Sequence, residues 1–436
     1  MKKYNVYRIV MGIAIIFLLV FLIMLLTGNV AKSGPALIGF FILLSVGVKG
    51  YDVVKGYTYT AWVFAGVTTA MFFPQPFIPI GTFKVSLLVV PLLQIIMFGM
   101  GSQMSLNDFT GVLKMPKGVI LGVASHFFFM PLMAFIITMV FKFPPEIAAG
   151  IILIGCTPSG LASNVMSFIA KANLALAVTI GATTTIISPL VTPLLMKFIG
   201  GQYIKVDLLK MMLDIFNMMI LPIIAGFIFN LFNDNRETRS VKIIQMTGFF
   251  FVILIASILT MIYRDDNFAK FLLVLAKSIG IFYILPIIVA EIFRYYLKGD
   301  KKAMSEILAF LSKFGIVLIL AVTAAPGRDA LLTIGGLMIV LSAFHILSGF
   351  LFGYTVGRLF KLPEQDRRVL AFETGMPNGG LGSGLAMQMG KIATVGLGPL
   401  IWGSLMNVVG SMLANFWQVR PPKEQKENVP ETEPKK

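Results

Sequence analysis

Charge is scarce in this chain: Asp, Glu, Lys and Arg make up 13% of its 436 residues, where a soluble domain carries about 25%. The shortage runs from Arg8 to Trp417, broken only by short polar connections. That excludes an ordinary soluble fold, which would alternate wet and dry faces along its elements. Cysteine is almost missing. Cys156 stands alone in an apolar stretch, so no disulfide framework exists, and a buried thiol of this kind acts as a small hydrophobe. Histidine is nearly as rare, with His126 and His345 far apart in the chain. There is no His-Glu-x-x-His and no paired aspartate signature, so an intramembrane enzyme would lack recognisable machinery.

Hydrophobic residues, by contrast, supply 57% of the chain. They gather into uninterrupted runs long enough to cross a bilayer, about 14 in all. The runs cover 8–27, 35–48, 58–75, 85–102, 116–141, 145–170, 172–199, 206–232, 243–263, 269–293, 304–325, 329–357, 367–390 and 393–417. The net charge of +16 does not point to nucleic acid, because the basic residues sit in short loops between apolar runs. The first run, Ile9 to Leu26, is long for a signal peptide and is followed by no small-x-small cleavage site, so it is expected to stay as a helix.

Orientation follows from the loops. With the N-terminus in the cytoplasm, Lys2, Lys3, Arg8, Lys49, Lys55, Lys114, Lys117, Lys171, Arg236, Arg239, Lys242, Arg294, Lys298, Lys301, Lys302, Arg358, Lys361, Arg367 and Arg368 fall inside. Lys32, Lys84, Lys142, Lys197, Lys205, Arg264, Arg328 and Lys391 fall outside. The imbalance obeys the positive-inside rule and places both termini in the cytoplasm of a cell-membrane protein. The tail from Arg420 to Lys436 is mostly Pro, Glu and Lys and is expected to be disordered.

Two apolar runs carry the same defect. The sixth reads Gly155-Cys156-Thr157-Pro158-Ser159-Gly160-Leu161-Ala162-Ser163-Asn164, and the thirteenth reads Glu373-Thr374-Gly375-Met376-Pro377-Asn378-Gly379-Gly380-Leu381-Gly382-Ser383-Gly384. Pro and Gly free backbone groups that hydrocarbon cannot satisfy, so such breaks belong beside other protein or a wet cavity. A matched pair of broken segments in two halves of a chain points to a binding site. Helix N-termini there offer N–H groups to an anion, and freed carbonyls can hold a cation. Glu373 lies beside the second break, and an intramembrane carboxylate is a functional candidate by default. Asp214 and Glu291 also lie in apolar runs, with no break beside them, and read as interfacial or structural.

Several motifs, in order along the chain, resemble the bile acid:sodium symporter family. They are Ile96-Met97-Phe98-Gly99-Met100-Gly101 with Leu106-Asn107-Asp108-Phe109, then Ala162-Ser163-Asn164-Val165-Met166 with Ala170-Lys171-Ala172-Asn173-Leu174-Ala175-Leu176. Phe372-Glu373 with Gly375-Met376 and Asn378 follows, and then Asn407-Val408-Val409-Gly410-Ser411 with Leu413-Ala414-Asn415-Phe416-Trp417. The resemblance covers most of 58–242 and 302–417. It implies an all-α polytopic membrane protein, an inverted-repeat transporter whose ten-helix core is two repeats of five with two broken crossover helices. The expected division is an extra transmembrane pair in 1–57, the first repeat and the start of the second in 58–242, an inserted pair in 243–301, the rest of the second repeat in 302–418 and a tail in 419–436.

The resemblance also implies ion ligands at Ser163, Asn164, Glu373 and Met376, with Thr374 where a backbone carbonyl would serve, and sodium expected at Ser163, Asn164 and Glu373. Two family glutamines fall on His126 and Pro377, and two hydroxyl positions on Ala177 and Gly181. Thr179, Thr183 and Thr184 are near but on other helical phases. His126 joins the ion-binding set because histidine is the side chain whose unperturbed titration falls near neutral pH, so two coupling ions stay open: sodium, and a proton shared with Glu373. Pro158, Ser159, Gly160, Asn378, Gly379, Gly380 and Asn407 are expected to face the substrate. The expected function is cation-coupled symport of an organic anion, bile-acid-like or a small carboxylate, by alternating access and without an organic cofactor. The alternatives are a channel, which would lack counterflow, and an intramembrane enzyme. The expected partners are that anion and the lipid bilayer, and the sequence does not set the oligomeric state.

Overall fold

Inside a bilayer no water is at hand for the peptide groups, and a helix closes its own hydrogen bonds within one segment. A computed structural model describes residues 2–51, 54–78, 84–104, 111–233, 239–265, 267–297 and 300–422. Among these, the longer elements are all α-helices: α1 (Lys2–Leu26), α2 (Gly34–Gly47), α3 (Thr58–Phe72), α4 (Val89–Gly101), a short α5 (Gly111–Lys114), α6 (Pro116–Phe141), α7 (Pro145–Cys156), α8 (Leu161–Ile169), α9 (Leu174–Phe198), α10 (Leu208–Ile215), α11 (Leu221–Asn233), α12 (Arg239–Arg264), α13 (Phe268–Ile279), α14 (Leu285–Tyr296), α15 (Lys301–Ala324), α16 (Arg328–Leu359), α17 (Glu364–Gly375), α18 (Gly379–Gln388) and α19 (Leu397–Gln418). Every expected apolar run falls on a helix or on a pair of these. Among the described residues, nine helices are long and apolar enough to cross a membrane by length and composition, and Gly34–Gly50, Val85–Gly101 and Pro145–Cys156 are shorter apolar helices. Leu106 to Phe109, Arg236, Lys298 and the tail beyond Pro422 lie outside the described residues.

Local chemistry sets the helix ends. Pro116 and Pro145 open α6 and α7 at a first-turn position that needs no N–H. Asn173 and Asp207 cap α9 and α10, their side chains accepting from the Leu176 and Lys210 amides. Two π turns, Phe216–Ile220 and Gly280–Ile284, make α10 and α11, and α13 and α14, continuous. Each π turn precedes a proline, Pro222 or Pro286. The wider turn relieves the clash a proline ring makes with the carbonyl four residues back.

The helices pack in two groups. In one, α3, α4, α11 and α15 lie against one another; in the other, α6 to α9 and α16 to α19 do. The N-terminal pair attaches to the first group, α2 packing on α3, and so do α12 to α14, through α10 and α11. Lipid-facing flanks stay apolar and exposed, such as Ile9, Ile23 and Leu26 on α1. Helices that are apolar all round belong in the interior. Residues Ile147 to Cys156 of α7 and Arg368 to Gly375 of α17 are all buried, so both broken segments lie in the middle of the second group.

A candidate ion site at the crossing of two broken helices

The two breaks meet. Between α7 and α8, and between α17 and α18, the chain is extended at Ser159 and Pro377, which face each other in an isolated antiparallel bridge. The Gly160 amide donates to Met376 O, and the Asn378 amide to Pro158 O, both at 2.8 Å. Neither Pro158 nor Pro377 is asked for a donor, which is where an extended pair tolerates proline. Freed peptide groups at each break are thus satisfied by the other break. Space is tight here: a Cβ on Gly160 would stand 3.0 Å from Pro377 O, and one on Gly379 would clash with the Gly403 Cα of α19 at 2.8 Å.

The segments match landmark by landmark at one constant spacing. Pro144 and Pro363 cap the starts of α7 and α17, Thr157 and Met376 cap their ends, and Pro158 and Pro377 follow. After α8 and α18, the amides of Ala172 and Lys391 close the same turn onto Ser167 O and Ala386 O. At that spacing Asn164 corresponds to Ser383.

Glu373 stands at the crossing and is fully buried. Its Oε2 accepts from Ser159 Oγ at 2.5 Å, and Ser159 Oγ lies 3.2 Å from Ser163 Oγ. Its Oε1 is buried with no hydrogen-bond partner, as is Asn164 Oδ1. Gly181 of α9 closes this corner: a Cβ there would lie 3.6 Å from Glu373 Oε2 and 3.7 Å from Asn164 Nδ2. A buried carboxyl group either takes a proton or pairs with a charge, and unpaired buried oxygens beside it are acceptors awaiting a donor or a cation. Among the described residues no three His, Cys, Asp or Glu side chains come together. The set is one carboxylate with neutral oxygens, which suits a monovalent cation.

The ion-site residues expected from the sequence are therefore brought together in part. Ser163, Asn164 and Glu373 share one corner. The Thr374 hydroxyl lies against Gly353 of α16, and its carbonyl, the group expected to serve, lies 3.2 Å from His126 Nδ1. Met376 lies against Gly410 of α19. His126, on α6, spans the breaks: Nδ1 lies 2.7 Å from Glu373 O and 3.2 Å from Thr374 O, and Nε2 lies 2.7 Å from Thr157 O. Ala177 sits in an apolar cluster with Val119, Leu370 and their neighbours, away from this corner. His345 is a strut, holding Met130 O at 3.0 Å and accepting from Trp402 Nε1 at 2.8 Å.

Of the residues assigned to substrate, Pro158, Ser159, Gly160, Asn378 and Gly379 line the crossing, and Gly380 follows beside Leu93 of α4. Asn378 Oδ1 caps α18 by accepting from the Leu381 amide at 3.0 Å. Asn407 on α19 donates to Gly403 O at 2.8 Å and keeps a buried, unpartnered Oδ1. Sequence reasoning missed Ser159 as the partner of Glu373, and it missed Ser383, whose Oγ is also buried without a partner. The correspondence of Ser383 with Asn164 was the available signal.

At the two ends of the crossover, polar groups tie the segments down. Glu146, at the start of α7, pairs with Lys391 and accepts from Thr394 at 2.5 Å. At the other end, Arg368 is 4% exposed and donates to Ala170 O, Trp417 O and Arg420 O, with Glu364 at 3.1 Å.

A helical membrane protein with a carboxylate sealed at the crossing of two broken helices has the build of a transporter. Comparison with known proteins agrees. Residues 90–271 match the model of the sodium bile acid symporter family. YocS of Bacillus subtilis (strain 168), named as a sodium-dependent transporter, is 30% identical over 376 residues, 85% of this chain and 94% of that protein. The chloroplastic BASS1 of Arabidopsis thaliana, named for sodium/metabolite cotransport, is 27% identical over 76% of this chain and 67% of its own length. Its namesake in Oryza sativa subsp. japonica is 25% identical over 84% and 73%. The chain belongs to the sodium bile acid symporter family.

Proposed function

We propose that this protein is a sodium-coupled symporter of small organic anions in a cell membrane, working by alternating access. The observation that carries the reading is Glu373: a buried carboxylate with one oxygen on Ser159 and the other unpartnered, beside the unpartnered Asn164 amide oxygen. Sodium at that corner would neutralise the carboxylate. The α8 and α18 N-termini, starting at the same crossing, would attract the substrate anion. The names of the relatives support sodium as the ion. The substrate would be a small carboxylate or an amphipathic bile-acid-like anion, and Asn407 and Gly380 would meet it beyond the crossing.

In this reading the matched landmarks of α7–α8 and α17–α18 are two inverted repeats, and all of the fourteen apolar segments span, with both termini in the cytoplasm. The two packing groups are the parts that move against each other. Both extra helix pairs enlarge the first group and leave the crossover group free. The test is uptake into proteoliposomes. A sodium gradient at clamped pH should drive accumulation of a radiolabelled anion from a carboxylate and bile-acid panel, with saturation and counterflow. A proton gradient that drives uptake without sodium would overturn the choice of ion, and non-saturable flux without counterflow would show a channel.

A further inference from the structure

A break in a membrane helix exposes carbonyl oxygens, and such carbonyls replace the hydration shell of an alkali ion. This crossing exposes two sets of candidate oxygens. One is the Glu373, Asn164 and Ser163 corner. The other is made of backbone carbonyls at the ends of the preceding half-helices: Glu373 O and Thr374 O in the last turn of α17, and Thr157 O at the end of α7.

The second set is already taken. His126 reaches in from α6, itself fully buried, and its ring lies between the two half-helices. Nδ1 is 2.7 Å from Glu373 O and 3.2 Å from Thr374 O, the place an ion held by those two carbonyls would occupy, and Nε2 is 2.7 Å from Thr157 O. Whichever ring nitrogen carries the hydrogen, the imidazole fills the space in front of all three oxygens. It contributes no oxygen of its own, and Pro377, three residues after Thr374, has no side-chain oxygen either. The first set is different: Glu373 Oε1 and Asn164 Oδ1 are buried and unpartnered.

We infer that the His126 side chain permanently plugs the carbonyl-lined half of the crossing, so that this transporter holds a single mobile cation, at the Glu373, Asn164 and Ser163 corner. The inference rests on the sodium-coupled reading above and adds its stoichiometry. A monovalent anion moving with one sodium ion carries no net charge, so uptake would ignore the membrane potential. A second ion would make each cycle move one positive charge inward.

Radiolabelled sodium binding to the purified protein in nanodiscs tests this without knowledge of the substrate. One ion per chain is expected for the wild type. His126→Ala, which empties the space, and His126→Gln, which replaces the ring with an amide oxygen, should each take up a second ion at higher sodium. Glu373→Gln should abolish the one ion of the wild type. Two ions per wild-type chain would overturn the inference, whether or not the His126 variants fold. So would a folded His126→Ala and a folded His126→Gln that both stay at one. No sodium bound by the wild type at any concentration would overturn the sodium-coupled reading itself, a result distinct from the other two.

Discussion

Ser159 and Glu373 belong to different broken segments, yet the Ser159 hydroxyl donates to Glu373 Oε2 at 2.5 Å with both residues buried. One carboxylate oxygen is thereby tied to the first crossover while the other has no partner. A carboxylate held this way is oriented but not neutralised. In a low-dielectric interior that is a costly state, and a cation arriving at Oε1 relieves it. The same contact makes the geometry of the ion corner depend on both broken helices at once, so a shift of either alters its affinity.

Glu373→Gln keeps the shape and removes the charge. Sodium-driven uptake is expected to be lost, while the protein stays folded in the membrane. Sodium should also stop raising the apparent melting temperature, because a ligand stabilises only the state that binds it. Accumulation at the wild-type rate in the variant would reduce Glu373 to a structural role.

Three asparagines separate binding from capping. Asn164 Oδ1 has no partner, so Asn164→Ala should weaken sodium affinity at least tenfold with little change in stability. Asn378 accepts from the Leu381 amide. Asn378→Ala loses this cap, at about 1 kcal/mol, and impairs transport because α18 starts at the crossing. Asn173 caps α9 and donates to Asp366 Oδ1 at 2.8 Å. Its alanine variant should lower the melting temperature while leaving the sodium dependence of uptake near that of the wild type. Equal, small effects of all three on uptake would mean that the breaks are packing kinks.

Arg368→Met should be the most destabilising of the single changes considered. The guanidinium reaches the ends of α8 and α19 and Arg420, two residues past α19, and stacks over Trp417 at 5.3 Å. Its loss leaves buried acceptors such as Ala170 O without a donor, at about 1–3 kcal/mol for each such group. Thermal unfolding in detergent measures this, and an unchanged melting temperature would show that water replaces the contacts at no cost.

Arg368 also shows where the sequence stops being legible. In the chain it is one of several loop charges, and charge counting used it for orientation; only the fold shows it buried among backbone carbonyls. The helices themselves were readable because hydrocarbon imposes one strong rule on composition, and every apolar run carries a helix. The two breaks were readable because Pro and Gly are conspicuous in such runs, and Glu373 because a carboxylate is rare there. What the linear pattern cannot carry is which oxygen meets which. Ser159 looked like a substrate contact and holds Glu373. Thr374 was expected to offer its carbonyl, and only the fold shows His126 Nδ1 standing 3.2 Å from that oxygen. His126 looked like a ligand, and its nitrogens face carbonyls from two other helices.

Gly181 offers a test in the direction of gain. Thr183 and Thr184, on neighbouring phases of α9, spend their hydroxyls on the carbonyls of Thr179 and Gly181, so neither supplies the corner with oxygen through that bond. Gly181 faces the corner: a Cβ would make ordinary contact with Glu373 Oε2 at 3.6 Å and with Asn164 Nδ2 and Oδ1 at 3.7 and 4.0 Å. Gly181→Ala therefore fits. It should stabilise the helix by about 0.8–1.0 kcal/mol without changing the half-saturating sodium concentration by more than about twofold, which is about 0.4 kcal/mol. Gly181→Ser places a hydroxyl on the same carbon, within reach of an ion between Glu373 and Asn164. The half-saturating sodium concentration of uptake should fall severalfold relative to the alanine variant, with the maximal rate unchanged or reduced by slower ion release. If serine and alanine give the same sodium dependence, the cation does not sit at this corner, and the carboxylate at the crossing has another task.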